Sequence, residues 1–155
     1  MNTKFLKKLL ALALFSTMIF GLLTACSGTT YKSFTFSVDN GDKIKIKLNT
    51  TDGYDITSNL PFAISCNGET YSEGTFIQGE AYQQYVDVVN AGGGAKLLDS
   101  GEKEGIEYIF WSFNDSEYNY AILVKGSNTG IILGNPISEE TARECFNRLT
   151  ISLEN

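Results

Sequence analysis

The chain has 155 residues, 43% of them hydrophobic and 19% charged, which bounds it to one ordinary domain with a single core. Its 12 basic and 18 acidic residues give a net charge of −6, a balance that argues against nucleic acid and against anionic lipid headgroups as partners, since both recruit basic patches. It contains no histidine, which removes the commonest general base, the commonest metal ligand and the usual activator of a Ser or Cys nucleophile.

The N-terminus carries Lys4, Lys7 and Lys8 and no acid, and then an uncharged, mostly apolar run from Leu9 to Leu23. That run is shorter than the roughly 20 residues needed to cross about 30 Å of hydrocarbon. It fits the apolar region of a cleaved signal peptide, where a positive end precedes it and a small-residue site follows. The site is Leu23-Thr24-Ala25-Cys26. This resembles the lipobox of bacterial lipoprotein precursors.

The resemblance implies cleavage between Ala25 and Cys26 and a diacylglyceryl group on the Cys26 thiol, with fatty acids such as palmitate holding the chain to the extracytoplasmic face of the cell membrane. A thiol suits that chemistry because its thiolate is a good nucleophile. Two acyl chains also anchor stably where one binds only marginally. The competing reading is an ordinary signal peptide, or an uncleaved anchor, with a chance cysteine nearby. On the lipoprotein reading, residues 1–25 are the leader, 26–32 the lipidated terminus and a short polar tether, and 33–155 a single domain. Loss of the three leader lysines leaves 9 basic against 18 acidic residues, a net charge of about −9.

In the domain, Phe34, Phe36 and Val38 alternate with polar residues, as do Ile44, Ile46 and Leu48 with Lys43, Lys45 and Lys47. The two runs flank Asn40-Gly41, a strong hairpin signal. The lysine row is the one basic stripe on the chain. It marks either a partner-facing surface or, more commonly, the solvent side of a strand or a protected edge. Asn49 to Asn59 reads as a polar loop, and Asp52 and Asp55 lack the spacing of a calcium loop. Pro61 to Cys66, Asn67-Gly68 and Thr70 to Gln78 form a second hairpin, in which Gly74 signals a bulge or a close backbone approach.

The period then changes. Tyr82, Tyr85, Val86 and Val89 stand at helical spacing, and Gly92-Gly93-Gly94 ends that helix. A short strand over Ala95 to Asp99 and an acidic turn over Ser100 to Gly105 follow. Strands over Ile106 to Phe113, Tyr118 to Lys125 and Ile131 to Leu133 then make an antiparallel meander. Apolar residues on both faces of the first of these require cover on both sides of the sheet. Ser138 is an N-cap, with Glu139 and Glu140 in the first turn. Arg143 and Arg148 suit the negative end of the helix dipole, and Thr150 to Leu153 is a last strand.

Cys66 and Cys145 remain. An extracytoplasmic location permits a disulfide between them, while their apolar neighbours favour two buried free thiols. Two distant cysteines without histidine do not make a zinc site, and no cofactor is expected.

Three segments carry a second resemblance: the helix GEAYQQYVDVV, the aromatic strand in SGEKEGIEYIFWSF, and the closing SEETARECFNRLTISL. Together they resemble the PsbP-like fold, an α+β sandwich in which an antiparallel sheet of short strands is packed by two helices. A cystatin-like or NTF-like α+β fold is the alternative. The PsbP-like resemblance implies a non-enzymatic binding or accessory domain with a protein partner in the cell envelope. Two other functions stay open: a small-molecule or cation-binding lipoprotein, and a carboxylate-dependent hydrolase, which needs two acids across a cleft. A protein-binding surface is sought near Tyr118 and Tyr120, since Tyr is enriched at interfaces, with core packing as the competing role.

Overall fold

Asn40-Gly41 lies at the turn of the first hairpin. Gly41 takes the left-handed φ of +93°, which glycine accepts without steric cost. Its N–H donates to the Val38 carbonyl at 2.9 Å. The turn joins β1 (Tyr31–Ser37) to β2 (Lys43–Asn49), with Phe36 opposite Ile44 and Phe34 opposite Ile46. The C-terminal strand β10 (Leu149–Leu153) returns to pair with the other side of β2, setting Ile151 against Ile46. Sheet order is therefore β1-β2-β10, and β2 lies at the centre. Period-2 alternation buries Ile44, Ile46, Leu48, Leu149 and Ile151 on one face.

The computed structural model describes residues 28–154. The leader and the expected lipidation site, Ala25 and Cys26, lie outside the described residues. A second antiparallel sheet of seven strands has the order β3-β4-β5-β9-β8-β7-β6. It comprises β3 (Tyr54–Ile56), β4 (Phe62–Cys66), β5 (Glu69–Gln78), β6 (Ala95–Lys103), β7 (Ile106–Phe113), β8 (Glu117–Val124) and β9 (Thr129–Asn135). Among the described residues two α-helices complete the fold, α1 (Gly79–Ala91) and α2 (Glu139–Asn147). Among the described residues no helix is long and apolar enough to cross a membrane.

Two expected boundaries move. The stretch taken as the loop Asn49 to Asn59 holds a 3-10 turn, Thr51–Gly53, and β3. Tyr54 and Ile56 are buried there, so tertiary burial overrides the polar local composition. The acidic stretch expected as a turn over Ser100 to Gly105 is instead mostly strand. Its Gly101 and Glu102 pair with Tyr108 and Glu107 of β7, leaving only Glu104 and Gly105 to turn.

The sheet is covered on both sides, as the aromatic strand requires. On one face α1 buries Tyr82 and Val89 against Ile109, Trp111 and Ala121. The Tyr85 and Trp111 rings lie 5.8 Å apart. Gly92, Gly93 and Gly94 stop the helix with φ values of +84°, +73° and +93°. On the other face Phe62, Phe110, Ile122 and Leu133 share a second core with α2 and with the inner side of the three-stranded sheet. Phe36 crosses between the sheets, its ring 5.8 Å from Phe62 and 5.4 Å from Phe76.

The fold is thus an α+β sandwich. Its second outer layer is α2 together with a small sheet, rather than a helix alone, because β10 pairs with β2 instead of joining the meander.

The start of α2 follows its sequence. The Ser138 hydroxyl accepts from the Thr141 N–H at 3.1 Å, and Asn135 Oδ1 accepts from the Ile137 and Ser138 N–H groups. The C-terminal end corrects the expectation. Arg143 is turned towards Glu139 and Asp99, and Arg148 towards Asp52 and Glu144. The carbonyls at this end meet Lys103 of β6, whose Nζ donates to Phe146 O and Asn147 O at 3.3 and 3.2 Å and to Leu149 O of β10 at 3.1 Å. A cation still meets the negative end of the dipole, but from a strand distant in sequence.

Candidate functional site

The structure separates the residues singled out in the sequence. Tyr120 is not a surface residue: it is 2% exposed, with its ring stacked 4.2 Å from Phe110 and 4.1 Å from Phe146. Burial pushes its phenol well above the ordinary tyrosine range. Tyr118 packs half-buried against the same core. The surface sought around this pair is therefore core, because their side of β8 faces α2.

Cys66 and Cys145 are free thiols, both buried, so the disulfide is not formed. Cys66 Sγ is occupied locally, donating to Asp52 O at 3.7 Å and accepting from Asn67 Nδ2 at 3.6 Å. Cys145 lies on the inward stripe of α2, and burial pushes its thiol up, away from the reactive thiolate.

Three polar features reach the surface. The first is built around Arg148. Its guanidinium lies 3.9 Å over the Tyr54 ring, donates to Thr51 O at 3.0 Å, and reaches Asp52 at 2.9 Å and Glu144 at 3.0 Å. The Tyr54 phenol is pushed up by burial and then by the Glu144 carboxylate beside it. Through Nη1 and Nη2 the side chain fixes α2 against the 3-10 turn, while its Nε–H is buried without a hydrogen-bond partner among the described residues.

The second is an open cleft of about 400 Å³ lined by Tyr71, Glu73, Glu117, Asn119 and Pro136. Glu73, Gly134 and Asn119 are neighbours across β5, β9 and β8, and Gly134 gives the cleft a floor without a side chain. The two glutamates are exposed, on strands separated by β9, which sets those strands about 9.5 Å apart. This open cleft offers acceptor oxygens to a small cationic or hydroxylated ligand. Among the described residues no three His, Cys, Asp or Glu side chains converge to hold a metal ion. Sequence reasoning passed over Glu73 and Glu117, since only the β5-β9-β8 order brings them near one another.

The third is the outward face of the three-stranded sheet. Lys43, Lys45 and Lys47 stand on its central strand. Lys47 lies between Ser33 and Thr150, Lys45 lies between Thr35 and Ser152, and Lys43 is opposite Ser37. The flanking Ser33, Thr35, Ser37, Thr150 and Ser152 are all exposed. The lysine row therefore does not protect an edge, which was one expectation; it runs down the middle of a hydroxyl-bearing surface.

No protein-family model, no curated protein and no solved structure matches the chain.

Proposed function

We propose that this chain is a lipoprotein, anchored through Cys26 to the extracytoplasmic face of the cell membrane, whose domain acts as a non-enzymatic binding or accessory module. The leader Lys4-to-Leu23 pattern and the Leu23-Thr24-Ala25-Cys26 site support the anchor.

One structural observation supports a domain held near the bilayer once Cys26 is anchored. Thr30 O already accepts from the Thr50 N–H at 2.9 Å, and β1 begins at Tyr31. Only a few residues separate Cys26 from the folded domain, a span of at most about 17 Å when extended. A protein so tethered works within reach of the bilayer, on other envelope components or on the membrane itself. The absence of histidine from the sequence supports binding over acid–base catalysis. The sequence order of early helix, meander, late helix and last strand supports the PsbP-like resemblance, whose members act mainly by binding proteins.

The test is Cys26→Ala followed by cell fractionation and crosslinking of envelope partners. The variant is expected in the soluble fraction and without the partners captured by the parent chain. Unchanged membrane association would refute the anchor.

The cleft at Glu73 and Glu117 favours a second reading, a small-ligand-binding lipoprotein. It predicts a rise in melting temperature with a cationic or polyhydroxylated ligand, lost on Glu73→Gln with Glu117→Gln.

A further inference from the structure

We infer that the outward face of the β1-β2-β10 sheet is a docking surface for anionic phospholipid headgroups of the membrane that holds the anchor. The inference rests on the Cys26 reading and names the surface through which the tethered domain meets the bilayer.

Lys43, Lys45 and Lys47 alternate along β2, so all three ammonium groups leave one side of the sheet, spaced about 7 Å apart along the strand. Pairing on both sides of β2 places hydroxyl side chains beside them: Ser33 and Thr150 flank Lys47, and Thr35 and Ser152 flank Lys45. Ammonium groups supply charge and hydroxyls supply neutral donors, the two contacts that phosphate oxygens accept. The strands β1, β2 and β10 hold no acid, and Glu154, next to the end of β10, lies 3.6 Å from Lys45. The Thr35 hydroxyl and the neighbouring lysines hold its carboxyl below the usual range, so it stays ionised. The face therefore carries a charge of about +2 within a mature domain of about −9, and the rest of the domain sums to about −11. The whole-chain balance argues against anionic headgroups, but a headgroup meets a face and not an average. An anionic membrane attracts this side and repels the remainder, which orients the domain.

The place where the chain enters selects the bilayer as the occupant. The tether joins the domain at Tyr31, the first residue of β1, whose side chain stands on this outward face. Tyr31 is 55% exposed, and Lys47 Nζ lies 3.9 Å over its ring. An exposed tyrosine beside a lysine is a pairing typical of the membrane–water interface. A tether of at most about 17 Å keeps the lysine row within reach of the headgroups.

The test uses the full lipidated chain in vesicles of phosphatidylcholine with and without phosphatidylglycerol, with lysine acetylation read by mass spectrometry. Lys43, Lys45 and Lys47 should be acetylated about threefold less or lower with phosphatidylglycerol present, while Lys96 of β6 and Lys125 in the turn after β8 change little. The protection should disappear at high salt and in Thr35→Glu with Ser152→Glu, a variant altered only at exposed positions. Equal acetylation in the two vesicle types overturns the inference. So does the same protection from soluble polyphosphate without vesicles, which would assign the face to a free polyanion. The N-terminal peptide of the same digest reports the acyl group on Cys26. If that group is missing, the anchor falls on its own evidence, while phosphatidylglycerol-dependent protection still decides the face.

Discussion

The Phe62 ring occupies the space that a side chain on Gly74 would need. Phe62 and Gly74 are paired across β4 and β5, and Gly74 is paired on its other side with Leu133 of β9. Phe62 is fully buried and touches Phe36 and Phe76, so its ring joins the two sheets. The Gly74 backbone is extended, so a Cβ there meets a packing obstacle and not a torsional one. Gly74→Ala is expected to destabilise the domain by about 1–3 kcal/mol, the usual cost of overpacking a dense core. Phe62→Leu should recover part of that loss, read as a coupling term in a double-mutant cycle by denaturant unfolding. Strict additivity would show that the two side chains do not compete for one space.

Lys103 supplies the cation at the C-terminal end of α2 and lies 5.0 Å over the Phe146 ring. Burial holds its ammonium below the ordinary lysine range, but three carbonyl acceptors keep it useful as a donor. Lys103→Met keeps the apolar stem and removes the charge. It should cost about 1–2 kcal/mol by chemical denaturation, the range for a charged donor at a partly buried helix terminus. A loss equal to that of a surface lysine such as Lys96→Met would contradict this role.

Asp42 ties the first hairpin turn to the turn before β9. Its carboxylate accepts from the Thr129 hydroxyl at 2.7 Å, the Asn128 N–H at 3.0 Å and Asn40 Nδ2 at 3.1 Å. The same Asn40 amide donates to Asn128 O at 2.9 Å. Asp42→Ala leaves those donors without their acceptor and should cost about 1.5–3 kcal/mol. Amide hydrogen exchange at Asn128 should rise by a corresponding factor. Unchanged exchange there would show that the clasp does not hold the turn.

Alkaline pH offers a test of the buried tyrosines. Burial, and then the Glu107 carboxylate, push the Tyr82 phenol up to about 12, and burial raises Tyr54 and Tyr120 in the same direction. The folded chain therefore binds more protons than the unfolded chain above the ordinary tyrosine value of about 10. Stability from these groups is intact below pH 10 and falls as pH rises through about 12. Tyrosinate absorbance and circular dichroism should show these phenols ionising together with unfolding. Ionisation of all tyrosines in a chain with native ellipticity would contradict the burial.

Much of the local structure was legible because local chemistry decides it. Asn40-Gly41 and Asn67-Gly68 mark the tight turns, Ser138 caps α2, and the triple glycine stops α1. What escaped was set by partners distant in sequence. Tyr54-Asp55-Ile56 is too short to show a period, and becomes a strand only because Cys66 and Ile64 pair with it. The acidic half of β6 is strand because β7 supplies its ladder. The position of Tyr120 depended on which face of β8 meets α2, and the centrality of the lysine row depended on a strand that closes the chain about a hundred residues later. The cleft at Glu73 and Glu117 likewise exists only once β9 lies between β5 and β8. For Cys26 the reading rests on sequence alone.

The most direct measurement is therefore the intact mass and N-terminal sequence of the protein extracted from membranes. The expected result is a chain beginning at Cys26 with a diacylglyceryl group on its thiol. A chain that keeps residues 1–25, or that begins elsewhere with an unmodified Cys26, would contradict it.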